Sequence, residues 1–203
     1  MSEGLSQVYR SIAELWCSPC DVDLQEASRS ARAAATGWKA TNPEGAESLS
    51  RFLEGLPTEE EYIDLFELDP RCSLYLGSNV FAEPESCAKA GVCDRNAYML
   101  ELVGIYRHFG LMPNGRDLPD YLPQVVDFLG LSWASNDPMR DKAVREYVLP
   151  YLPPIRSRLE ELGSAYTHLL DALERALQQD LQSRPEADPE LGTEQLEMEA
   201  SHG

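Results

Sequence analysis

Apolar residues along the chain follow a helical spacing almost throughout. From Leu5 to Trp16 they recur every three or four positions and form one stripe. Similar stripes run from Leu49 to Leu56, from Tyr98 to Phe109 and from Tyr166 to Leu181. No segment alternates apolar and polar residues over more than a few positions, as a half-buried strand would. The pattern predicts an all-α fold, a single globular domain of about eight to ten helices.

Capping and turn residues divide this pattern into separate helices. Pro57 ends one helix, and Thr58 with Glu61 three residues later predicts a capping box that opens the next. Gly110 follows the Tyr98–Phe109 stripe, where a left-handed residue would stop a helix. Asp120 is predicted as the N-cap of a further helix.

Two segments depart from the helical pattern. Residues 69–94 lack a clear periodicity and are predicted to be mostly irregular. Residues 184–203 contain one Arg and six acidic residues, together with prolines and almost no large apolar side chains. This composition is typical of a solvated, disordered tail. The predicted organisation is therefore a helical domain over residues 1–183 and an acidic flexible tail over residues 184–203.

The overall charge is strongly negative, with 17 basic against 35 acidic residues and a net charge of −18. Such a chain would repel phosphate, which argues against nucleic-acid binding and favours cationic partners. The sequence contains no run of eighteen apolar residues, and its first residues lack the pattern of a secretory signal. We therefore expect a cytoplasmic protein that does not insert into membranes.

The cysteines raise two alternatives, a redox centre and a zinc site. Cys17 and Cys20 have redox-motif spacing, but they follow a helix, and a helix C-terminus disfavours a thiolate. Cys87 and Cys93 could complete a zinc site, although their spacing is looser than structural zinc sites usually have. The sequence therefore predicts no metal site. The alternative hypothesis is a thiol-based or zinc-binding regulatory protein that uses Cys17 and Cys20.

Catalytic patterns are missing from the sequence. Its three histidines do not form a recognised zinc motif, and it has neither a nucleophile-elbow serine nor a phosphate-binding glycine loop. The many Asp and Glu residues are best explained as solvated helix faces. We expect a binding protein rather than an enzyme.

The segment Leu118–Pro119–Asp120–Tyr121–Leu122–Pro123 is unusually rigid because its two prolines fix the backbone. It could serve as a helix cap or as a peptide-docking corner in which an acid and an aromatic side chain border an apolar groove.

Several segments together resemble the NarJ/TorD/DmsD family of redox-enzyme maturation chaperones, on its NarJ side. Residues 106–111 (YRHFGL), 118–123 (LPDYLP) and 127–129 (DFL) match its signature in order and spacing. Residues 66–76 and 151–166 match in order as well, so the similarity covers roughly residues 5–180. The family's usual His and Glu are here Tyr121 and Asp127. Tyr121 could not perform a proton-switching role of that His.

The resemblance implies a cytoplasmic chaperone for a molybdenum enzyme of the dimethyl-sulfoxide-reductase superfamily, such as nitrate reductase. Such a chaperone binds the N-terminal, often twin-arginine segment of the catalytic subunit. It assists insertion of molybdopterin guanine dinucleotide into that subunit, its assembly and its export, and holds no cofactor stably itself. Helical families of this kind can exchange elements between protomers, so the resemblance also allows a homodimer.

An N-terminal segment that combines basic and apolar residues would need an apolar groove with an acidic rim. We expect Asp120 either to contact an arginine of that segment or to cap the helix that follows Asp120 in this chain. The residues predicted to line or border the groove are Tyr106, Leu118, Pro119, Asp120, Tyr121, Leu122, Asp127 and Phe128.

Overall fold

The computed structural model describes residues 3–81, 93–113 and 115–184. Within these ranges the chain is helical and contains no β-strand; an isolated antiparallel bridge joins Tyr75 to Tyr121. The helices are α1 (Glu3–Trp16), α2 (Leu24–Trp38), α3 (Pro43–Glu54), α4 (Glu59–Phe66), α5 (Asp94–His108), α6 (Leu122–Leu131), α7 (Pro138–Lys142), α8 (Leu152–Glu161) and α9 (Tyr166–Gln182). Their number lies within the predicted range, and the all-α prediction is confirmed.

Shorter helical turns connect some of these elements. A 3₁₀-helix spans Leu76–Asn79 between α4 and α5. A π-helical turn (Ala143–Val148) and a 3₁₀-turn (Leu149–Tyr151) link α7 to α8. The helices that the structure describes are all too short or too polar to cross a membrane.

Helix α1 forms the centre of the fold and packs against α2, α6 and α9, while α9 also packs against α3. The apolar stripe predicted for α1 explains this position, because Val8, Tyr9, Ile12 and Trp16 are completely buried. At the C-terminal end of α1, the Trp16 ring stacks on Tyr166 of α9 with 5.1 Å between centroids. These contacts fix the end of α1, which forms one wall of the site described below.

A buried ionic cluster joins the last helix to the rest of the body. The Asp180 carboxylate accepts a hydrogen bond from the Tyr9 hydroxyl (2.9 Å) and lies 2.6 Å from the Arg140 guanidinium. The Arg184 side chain approaches the same carboxylate at 2.8 Å. Arg184, the first residue assigned to the tail, thus packs on the helical body, and the remaining tail residues lie outside the described ranges. The boundary at residue 184 stays a prediction.

The local capping predictions have mixed outcomes. The capping box is confirmed, since the Glu61 amide donates to the Thr58 hydroxyl and the Glu61 carboxylate accepts from the Thr58 amide. Gly110 adopts the predicted left-handed conformation, with φ 71°. The predicted N-cap at Asp120 is wrong: the N-cap of α6 is Tyr121, without a side-chain bond, because the Asp120 carboxylate is engaged by Gly77 instead. Of the segment predicted to be irregular, residues 82–92 lie outside the described ranges.

Candidate functional site

An open groove of about 840 Å³ lies between the end of α1, the end of α4 and the start of α6. Its other walls are the α1–α2 loop, residues 70–75 and the loop before α6. Three helix termini and three loops therefore meet here, and the groove is formed by segments far apart in the chain. Its side chains include Glu14, Cys17, Asp21, Tyr62, Phe66, Glu67, Tyr75, Met112, Arg116, Asp117, Tyr121, Gln124 and Asp127.

The groove is acidic. Among the described lining side chains, five are carboxylates (Glu14, Asp21, Glu67, Asp117 and Asp127) and one, Arg116, is basic. Partial burial raises the pKa of Asp127, an effect that the charge of Arg10 opposes. Carboxylates that share a low-dielectric groove attract a cationic ligand more strongly than the same groups scattered over a surface.

Aromatic side chains supply the apolar part of the wall. The Tyr121 ring packs against Tyr75 with 5.3 Å between centroids, next to the backbone bridge that joins these two residues. Burial raises the pKa of Tyr121 to about 12. Tyr62 is buried behind this surface and donates a hydrogen bond from its hydroxyl to the Trp16 carbonyl. This aromatic part of the wall is thus uncharged and apolar.

A smaller pocket of about 90 Å³ adjoins the groove between the end of α5 and the outer side of α6. Met112, Gln124 and Asp127 line both cavities, so the two are direct neighbours. Met112 and Leu131 flank the pocket with side chains that are 68% and 56% exposed, an unusual placement for large apolar groups. The rest of its lining is formed by Tyr106, Leu111, Pro113 and Phe128.

Asp120 lies beneath the groove and is completely buried. Its carboxylate accepts a hydrogen bond from the Gly77 amide at 2.9 Å and lies 3.7 Å from the Arg95 guanidinium. Burial nevertheless raises the pKa of this carboxyl, since desolvation outweighs the two stabilising neighbours. The Asp120 carbonyl also accepts from the Leu76 amide. Asp120 therefore holds Leu76 and Gly77, which directly follow the 70–75 wall of the groove, against the start of α6.

The predicted site residues fall into three groups. Tyr121 and Asp127 line the groove, and Tyr106 and Phe128 line the adjoining pocket. Leu118 and Pro119 lie at the surface outside both cavities, with the Pro119 carbonyl accepting from the Tyr106 hydroxyl. Asp120 and Leu122 have no exposed surface, so a direct contact of Asp120 with a partner arginine does not fit this structure.

Several lining residues were missed in the sequence. Asp21, Tyr62, Glu67 and Met112 lie outside the motif around residues 118–123 and carry no local signal of function. They reach the groove only because α1, α4 and the loop before α6 pack together, which a single sequence does not reveal.

Comparison with known proteins points to one kind of protein. The chain is 30% identical over 138 residues to the "Nitrate reductase molybdenum cofactor assembly chaperone NarJ" of Escherichia coli (strain K12), covering 64% of this chain and 52% of that protein. It is 28% identical over 158 residues to the probable NarJ of Bacillus subtilis (strain 168), covering 72% and 79%. The chain is thus similar to NarJ assembly chaperones. The resemblance predicted from the sequence is thereby confirmed.

A third relative agrees with these two. The probable nitrate reductase molybdenum cofactor assembly chaperone NarW of Escherichia coli (strain K12) is 29% identical over 118 residues, 58% of this chain and 46% of that protein. The chain spans about half the length of the Escherichia coli relatives it matches. No family profile matches the chain. The names of these relatives describe chaperones rather than enzymes.

The fold brings Cys17, but not Cys20, into the lining of the groove. The Cys17 thiol donates to the Ala13 carbonyl, and burial together with the nearby Asp21 raises its pKa to about 11. The Cys20 thiol donates to Glu59, which raises its pKa as well. In the described ranges no three His, Cys, Asp or Glu side chains are grouped to hold a metal, and Cys87 lies outside those ranges. The raised pKa values disfavour the thiolates that redox chemistry would need.

We expect Cys17→Ser and Cys20→Ser variants to fold as the wild type does, because neither thiol is activated. Both thiols should react slowly with iodoacetamide near pH 7 and faster as the pH rises toward their raised pKa values. Mass spectrometry of timed alkylation, with the denatured protein as the control, measures this. Rapid alkylation of Cys17 in the native protein at neutral pH would favour the redox alternative.

Proposed function

We propose that this chain is a chaperone for the assembly of a molybdenum enzyme of the dimethyl-sulfoxide-reductase superfamily, nitrate reductase being the first candidate client. It binds the N-terminal, signal-like segment of the catalytic subunit in the cytoplasm. By holding that segment it assists insertion of molybdopterin guanine dinucleotide into the client, followed by assembly or export, without retaining the cofactor itself. The names of the NarJ and NarW relatives support the assignment of the client.

The observation that carries this proposal is an acidic groove directly beside an apolar pocket, with three lining residues in common. A signal-like segment combines basic residues with large apolar ones. The carboxylates of the groove would attract the basic residues, and the pocket flanked by Met112 and Leu131 would take an apolar side chain. Asp127, which lines both cavities, lies where the two halves of such a segment would meet. A homodimer stays a prediction.

The direct test is calorimetric titration of the full chain with a synthetic peptide that carries the N-terminal segment of the nitrate reductase catalytic subunit from the same organism. We expect saturable binding that weakens as the salt concentration rises, because the groove carboxylates are partly exposed. A scrambled peptide of the same composition is the control. Absence of binding, or equal binding of the scrambled peptide, would contradict the proposal.

Removing apolar surface at the small pocket should weaken this binding. We expect Leu131→Ser to lower the affinity by about threefold to tenfold, since a leucine that is half exposed in the free protein becomes covered by the peptide. Leu100→Ser is the matched control: Leu100 is 71% exposed but lies outside both cavities. Equal affinities of the two variants would show that the pocket is not part of the site.

A further inference from the structure

An ion pair crosses the acidic groove. The Arg116 guanidinium lies 3.1 and 3.2 Å from the two carboxylate oxygens of Asp21. Arg116 belongs to the loop before α6, whereas Asp21 belongs to the loop after α1, 95 positions away in the chain. Both residues line the groove, so their side chains connect two of its walls.

The charges of the groove make this contact distinctive. Arg116 carries the positive charge among lining residues that include five carboxylates. The Asp21 carboxylate raises the pKa of Arg116, as expected for a guanidinium that donates to both oxygens of an acid. The chain thus places one of its own arginines at the surface where the proposed ligand would bring an arginine.

The ion pair is also easily exchanged. The Arg116 and Asp21 side chains are 70% and 45% exposed, and ion pairs at such exposure contribute little because water and salt screen them. The buried pair of Arg140 with Asp180, in which both side chains are fully buried, is the opposite case. A guanidinium from a bound peptide could therefore replace that of Arg116 on Asp21 at small cost.

We propose that Asp21 is a binding subsite for an arginine side chain of the client segment, and that Arg116 occupies this subsite in the free protein as an internal competitor. This rests on the proposed function. When the segment binds, its arginine donates to the Asp21 carboxylate and the Arg116 side chain moves into solvent. The competition lowers the affinity for peptides that offer positive charge without the accompanying apolar contacts.

The test compares the affinities of two arginine variants for the same client peptide. Arg116→Ala should bind the peptide about twofold to fivefold more tightly than the wild type, because the subsite is then vacant. Arg29→Ala is the matched control, since Arg29 is also 70% exposed and paired with an acid, Glu26, but lies on α2 away from the groove lining. Both variants change the net charge equally, so the difference between them isolates the competition from long-range attraction.

Two further measurements separate the outcomes. Asp21→Asn should weaken binding, and a peptide whose arginines are replaced by glutamine should no longer distinguish Arg116→Ala from the wild type. The proposal would be overturned if Arg116→Ala bound no more tightly than Arg29→Ala, or if it bound more weakly than the wild type. Failure of the wild type to bind the peptide at all would overturn the proposed function, and this inference with it. Thermal unfolding should be unchanged in all three protein variants because the altered side chains are exposed.

Discussion

Replacing Asp180 with alanine is expected to lower the free energy of unfolding by about 3–5 kcal/mol. The reason is the environment of Arg140, whose guanidinium is completely buried and lies 2.6 Å from the Asp180 carboxylate. Without that carboxylate the guanidinium would remain in the interior as an uncompensated charge. The Tyr9 hydroxyl would also lose its acceptor, and Arg184 would lose its closest acid. The loss should appear as a lower urea midpoint, measured by far-UV circular dichroism.

The matched control removes an acid from an exposed ion pair. Glu47 pairs with Arg51 one helical turn away on α3, and the two side chains are 62% and 59% exposed. Glu47→Ala should leave the urea midpoint nearly unchanged, because water solvates the remaining guanidinium. A similar midpoint for the two variants would show that Arg140 finds another partner or reaches solvent.

A double variant separates the cost of an unpaired charge from the loss of packing. Asp180→Leu combined with Arg140→Met removes both charges and retains apolar volume, and such replacements are often neutral or stabilising. Here we expect only partial recovery of stability. The Arg184 guanidinium loses its closest acid and keeps the more distant Asp141, 3.6 Å away, and the Tyr9 hydroxyl still lacks its acceptor. If Asp180→Ala and the double variant were equally unstable, packing rather than charge would explain the effect.

How much of the fold could be predicted depended on whether the determining contacts are local. The Thr58–Glu61 capping box and the stop at Gly110 involve residues close together in sequence, and both predictions were correct. Asp120 satisfied the same local rule for an N-cap, but its carboxylate binds the amide of Gly77, 43 residues earlier. A tertiary partner of this kind overrides a capping preference of about 1 kcal/mol.

Prediction of the candidate site depended on the same difference between local motifs and tertiary contacts. Tyr121 and Asp127, which line the groove, were among the predicted site residues because they belong to the motif segments 118–123 and 127–129; these segments place Tyr121 at the N-cap of α6 and Asp127 in its middle. Asp21 was missed because it is one of 35 acidic residues and stands in a turn without a motif. Met112 was missed because exposure of a large apolar side chain is a property of the folded surface, not of the sequence.

Replacing Asp120 with alanine is expected to weaken binding of the client peptide about tenfold or more and to lower stability by about 1.5–3 kcal/mol, the usual contribution of a hydrogen bond to a charged group. Asp120 holds the Gly77 amide and the Arg95 guanidinium at the junction of two groove walls. The Gly77 backbone lies so close to Asp120 that a Cβ atom on residue 77 would be 2.9 Å from the Asp120 carboxylate. Without the carboxylate, the 70–77 segment is expected to separate from the start of α6 and widen the groove.

The conservative variant distinguishes this positioning role from a direct contact with the peptide. Asp120→Asn keeps an oxygen that can accept from the Gly77 amide, exchanges the other carboxylate oxygen for an NH2 group, and loses the charge, which lies 3.7 Å from Arg95. A positioning residue should therefore retain most of its stability and most of its peptide affinity in the asparagine variant, while alanine loses both. A residue that paired with a partner arginine would show the reverse for asparagine: normal stability with weak binding. Since the Asp120 side chain has no exposed surface, we expect the first result, with affinity and unfolding free energy changing together in the two variants.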